Sequence, residues 1–113
     1  MIHEAALRIK VAGRTATRAQ LARILEMSEV DHVTVRVVPF ALDDFAEAGS
    51  ALVHLGGPVP RLDTVVRDAP HGTVYLDSAA QLEDFRTLFL GVKEASLPPE
   101  QSRDLIHQLA EEL

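Results

Sequence analysis

Alternating apolar and polar positions stand out most clearly in Val33-Thr34-Val35-Arg36-Val37-Val38-Pro39-Phe40. Val33, Val35 and Val37 fall on one side of an extended backbone and Thr34 and Arg36 on the other, the period-two signature of a half-buried strand. Val38 breaks the alternation, so the second face becomes covered near the strand end, and Pro39 then removes a ladder donor. Upstream, Leu7, Ile9 and Val11 alternate with Arg8 and Lys10 as a strand does, yet Glu4-Ala5-Ala6-Leu7-Arg8 has good helix propensity, and this opening stays open between the two. Thr17-Arg18-Ala19-Gln20 matches a capping box ahead of Leu21, Ile24 and Leu25, predicting a helix from about Arg18 to Ser28 with that stripe on a sheet.

Past Phe40, Asp43-Asp44-Phe45-Ala46-Glu47 and Gly49 read as a loop or one helical turn. Ser50 to Leu55 predicts a second strand with Leu52 and His54 on one side and Ala51, Val53 and Leu55 on the other. Gly56-Gly57-Pro58-Val59-Pro60 is a connector. Leu62 to Arg67 predicts a third strand, and Ala69-Pro70-His71-Gly72 a turn leading into a fourth, Thr73-Val74-Tyr75-Leu76. Ser78-Ala79-Ala80-Gln81 repeats the capping-box pattern before Leu82, Phe85, Leu88, Phe89 and Val92, an amphipathic helix. Pro98 and Pro99 separate it from a last helix bearing Leu105, Ile106, Leu109 and Leu113. Short links between successive strands favour antiparallel neighbours. The predicted fold is therefore α+β: an antiparallel four-stranded meander with about three helices packed on it, a two-layer sandwich in a single domain spanning residues 1–113.

Composition narrows the function. The chain has 113 residues, 47% of them apolar, enough for one core. It has no cysteine, which excludes a disulfide scaffold, thiolate metal sites and a cysteine nucleophile, and fits a cytoplasmic location. No apolar run approaches the roughly 20 residues of a membrane span. The net charge of -6 argues against a broad phosphate-binding surface. The basic side chains do gather early, at Arg8, Lys10, Arg14, Arg18 and Arg23, so direct nucleic-acid binding there is one reading and a solvated helix face the plainer one.

The candidate chemistry is thin. No nucleophile elbow, His-Glu-x-x-His motif or phosphate-cradling loop is present. The best polar set is Asp63, His71, Tyr75 and Asp77, on or beside the last two predicted strands. Brought together by the hairpin, an aspartate would orient the histidine as a general base, and a small hydrolase or lyase follows as the alternative function. Both aspartates serve equally well as strand-end residues binding turn amides.

Six motifs then occur in order: Glu4-Ala5-Ala6-Leu7-Arg8, Gln20-Leu21, Val33 to Phe40, Leu62-Asp63-Thr64-Val65, His71 to Asp77, and Ser102-Arg103-Asp104-Leu105-Ile106. In that order they resemble the domain of unknown function that follows an Xre-type helix-turn-helix in antitoxin-like transcriptional regulators of actinobacteria. The DNA-reading domain and the strand usual before Glu4 lie outside this sequence, which then resembles the C-terminal part of a longer regulator, either as a fragment or as a free-standing form. The resemblance implies a regulatory sensing and assembly module that dimerises, binds a small-molecule effector or engages a small acidic partner protein, and reaches DNA only through the helix-turn-helix. It carries no catalytic residues, cofactor or metal. The candidate ligand- or partner-binding residues are Glu4, Arg8, Asp63, His71, Tyr75 and Asp77.

Overall fold

A computed structural model describes residues 1–41 and 51–113. The acidic stretch from Asp43 to Gly49, and Ser50, lie outside the described residues. In chain order the elements are β1 (Ile2–His3), α1 (Glu4–Arg8), α2 (Gly13–Ser28), β2 (Val37–Val38), β3 (Leu52–Leu55), a 3-10 turn (Pro60–Leu62), β4 (Thr64–Ala69), β5 (Gly72–Leu76), α3 (Ala79–Ala95) and α4 (Pro99–Glu111). Two compact units emerge, Met1–Asp43 with Lys93–Leu113, and Asp44–Val92.

The core of the first unit is built from Leu7, Leu21, Val37, Ile106 and Leu109, with Ile24, Leu25, Leu105 and Leu113 against it. The helical stripes of α2 and α4 thus bury as their spacing predicts, each large side chain contributing about 1.5–3 kcal/mol. They bury against each other and not on a broad sheet. The ambiguous opening resolves as helix only from Glu4 to Arg8, with Ile9 extended, His3 Nδ1 accepting the Ala5 N–H at 3.1 Å to cap α1, and a two-residue strand, Ile2–His3, directly before Glu4 where none was expected. Helix α2 begins earlier than its capping box suggests, at Gly13 with φ 87°, a left-handed conformation open to a residue without Cβ. Thr17 lies inside the helix, its hydroxyl donating to the Gly13 carbonyl at 2.8 Å.

The predicted long strand over Val33 to Phe40 shrinks to Val37–Val38, paired in parallel with Ile2–His3. The reason lies in the partners its backbone finds. Val37 N–H donates to the Ser102 hydroxyl at 2.9 Å, its carbonyl accepts from Leu97 N–H at 2.9 Å, and Val33 N–H closes a turn on Val30. The bonds to Ser102 and Leu97 take up the edge of Val37 that faces away from Ile2, so no second strand pairs there.

The second unit is a meander of three strands, β3-β4-β5, all antiparallel. The four-stranded meander is therefore corrected to three strands plus a separate parallel pair, and the helices number four in the described residues. Val65, Leu82 and Phe85 form the core, flanked by Leu52 and Leu76, so α3 covers one face of the sheet. The hairpin is confirmed: Ala69 pairs with Gly72 across Pro70 and His71. The second capping box is also confirmed, with Ser78 Oγ accepting the Gln81 N–H at 3.2 Å and Gln81 Oε1 accepting the Ser78 N–H at 3.3 Å.

Candidate functional site

Each unit holds one polar knot around a buried carboxylate. In the first, Glu4 opens α1 at a position whose side chain turns inward. Its Oε1 accepts from Arg8 Nε at 2.9 Å, one helical turn on, and its Oε2 accepts the Phe40 N–H at 2.9 Å. Arg8 also lies 3.8 Å from Glu112 and sits over the Phe40 ring, whose edge meets His3. Burial works against the Glu4 charge, but the Phe40 amide and Arg8 outweigh it and hold its pKa below the ordinary value. The two sequence candidates Glu4 and Arg8 are thus brought together, and they tie α1 to the end of the valine segment.

In the second unit, Asp63 follows the 3-10 turn and points under the connector. Its Oδ2 accepts from His54 Nε2 at 2.9 Å and from Arg86 at 3.0 Å, and its Oδ1 accepts the Gly57 N–H at 3.2 Å. Arg86 further donates to the Pro60 carbonyl at 2.9 Å. The hydrogen bond from His54 leads in lowering the Asp63 pKa, against a desolvation penalty, and Arg86 and Gly57 add to it. The histidine oriented by Asp63 is therefore His54, with its ring 5.4 Å from that of Phe85. Leu52 and His54 share the covered face, as the alternation predicts. His54 and Arg86 carried no motif, and the parity of His54 with Leu52 was the one signal that placed it inward.

The proposed tetrad is not assembled. Asp63 is buried, whereas His71, Tyr75 and Asp77 are exposed on or beside β5. His71 occupies the hairpin turn and Asp77 the opposite end of the strand, on the order of 20 Å away at about 3.3 Å per residue. Tyr75 lies on the outer face, paired with Val66, which in turn pairs with Val53. Of the early basic residues, Arg18 donates to the Leu113 carbonyl and Arg23 pairs with Glu26 at 2.9 Å. Among the described residues no cluster of His, Cys, Asp and Glu has the makings of a metal site, and no helix is long and apolar enough to cross a membrane.

The profile of a family described as a domain of unknown function (DUF5753) matches residues 1–108. The chain belongs to that family. No curated protein and no solved structure matches it. Within this DUF5753 chain, the quoted motifs meet in space: Val37 of the valine segment bonds Ser102 of the last motif, and Phe40 bonds Glu4 of the first. The segment around Asp63 and the one ending at Asp77 are likewise paired, through β4 and β5.

Proposed function

We propose that this chain is a regulatory sensing and assembly module of an actinobacterial transcriptional regulator, acting through dimerisation or through binding of an effector or a small acidic partner protein, with DNA reached through an Xre-type helix-turn-helix domain. Membership of the DUF5753 family and the order of the six motifs support the reading. The observation that carries it is the outer face of the meander. Alternation on a one-sided sheet puts polar residues toward water, yet here the cross-strand row Val53, Val66 and Tyr75 faces outward, with Val53 52% and Tyr75 67% exposed. Leu55 adds to the same face. Contiguous apolar surface of this kind marks binding sites. The buried carboxylates Glu4 and Asp63, in contrast, spend their acceptors on loop amides and arginines.

Light scattering from micromolar to millimolar protein, with pull-downs using small acidic proteins encoded beside such regulators, tests the reading. Self-association or capture of such a protein is expected. An inert monomer under all conditions overturns the assembly half.

A further inference from the structure

Strand β5 pairs with β4 alone among the described residues, and its other edge is open. Because a two-residue turn joins Ala69 to Gly72, the alternation of an antiparallel ladder sends the backbone groups of Gly72, Val74 and Leu76 toward β4 and those of Thr73 and Tyr75 outward. The Asp68 N–H, bonded at 3.3 Å to the Ala51 carbonyl next to β3, agrees with that phase. Natural edge strands are blunted by charge, proline or a bulge. Gly72–Leu76 contains no charged residue and no proline, and it pairs with β4 without a break.

We propose that β5 pairs antiparallel with β5 of a second copy of this chain about a two-fold axis at Val74, joining two meanders into one sheet of six strands. The inference rests on the assembly reading above and gives it a location. Centring on Val74 sets Thr73 of one copy opposite Tyr75 of the other, the two residues whose N–H and C=O groups point outward, so the pairing completes hydrogen bonds with no change in backbone phase. It also sets Asp77 opposite His71 of the second copy, twice by symmetry, where a carboxylate accepts from an imidazole N–H. The two tyrosines become diagonal neighbours on the outer face, within reach of one another and covering the most exposed side chain of the row. A shift of two residues in either direction shortens the overlap and moves Asp77 opposite Ala69 or Thr73, where no imidazole meets it. The other open edge, β3, centred on Val53, brings Leu55 opposite Ala51 and offers no complementary polar pair.

Sedimentation velocity on the wild-type chain and on Thr73→Pro tests this. The Thr73 N–H points away from β4, so the substitution removes an outward donor and spares the hairpin. A dimer is expected in the wild type, with its Kd raised at least about tenfold in the variant at an unchanged circular dichroism spectrum. Amide exchange on the unaltered chain gives the same answer should that variant misfold: Thr73 and Tyr75 slow as concentration rises, while Val74 stays protected throughout. A double-mutant cycle on His71→Ala and Asp77→Ala is expected to be non-additive by about two- to tenfold in Kd. Additive effects overturn the alignment on Val74. A dimer indifferent to Thr73→Pro, with concentration-independent exchange at Thr73 and Tyr75, overturns the inference and leaves the assembly reading standing. A monomer at every concentration overturns the inference, and overturns the assembly reading as well only where the pull-downs capture no small acidic protein.

Discussion

Ser102 has no exposed surface, yet its hydroxyl bridges two segments, accepting from Val37 N–H and donating to the Leu97 carbonyl at 3.1 Å. Ser102→Ala leaves the Val37 donor without a partner in an apolar core and is expected to cost about 1–3 kcal/mol in urea unfolding. Glu4 and Asp63 both have lowered pKa values, from ordinary values of 4.5 and 3.8. A carboxylate whose folded pKa is depressed stabilises the protein above its unfolded value, and that stability is lost as pH falls through the folded one. Unfolding midpoints are therefore expected to fall as pH drops below about 4.5, and less so in Glu4→Gln/Asp63→Asn, which starts lower at neutral pH. Individual residues were the least legible scale. Asp63 was visible as a candidate, but its partners His54 and Arg86 come from nine residues upstream and 23 downstream, separations that no local pattern encodes.

Local punctuation was read correctly at the Ser78 box and the Pro70–Gly72 hairpin but not at Thr17, which lies inside α2, and the segment that needs distant partners was misread. The box at Ser78 and Gln81 reaches Asp77 as well, whose N–H donates to Gln81 Oε1 at 3.3 Å. Gln81→Ala is expected to lower stability by about 1 kcal/mol and to increase exchange in the first turn of α3. The hairpin was equally legible, since Pro and Gly fix its turn within four residues; Gly72 holds φ 123°, and Gly72→Ala is expected to destabilise the protein by more than about 1 kcal/mol because an added Cβ disfavours that conformation. The valine segment misled for the opposite reason. Alternation reports which faces are covered, and it is silent on whether a neighbouring strand or a serine and a loop amide supply the hydrogen bonds. Similarly, α3 shows the limit of a stripe: Leu82 and Phe85 are buried, but Leu88 and Phe89 are 38% and 42% exposed.

Over the whole molecule, the two hydrophobic clusters draw on different parts of the chain. The meander takes its core from residues 52–85, while the other cluster combines Leu7, Leu21 and Val37 with Ile106 and Leu109. Ile106→Ala is expected to cost about 2–5 kcal/mol. Its signature in native-state exchange is lost protection in α2 and α4 with β3 to β5 retained.

That discontinuity matters during translation. Roughly 70 codons separate Val37 from Leu109, on the order of 4–14 s of synthesis at ordinary ribosome speed. Throughout that interval Leu7, Leu21 and Val37 lack the Ile106 and Leu109 side chains that complete their cluster, whereas the β-hairpin can already close. A nascent polypeptide of this design therefore asks most of its chaperones on behalf of the apolar residues that precede the meander, and slowing the ribosome beyond the Val92 codon should raise aggregation more than an equal delay before the Phe40 codon.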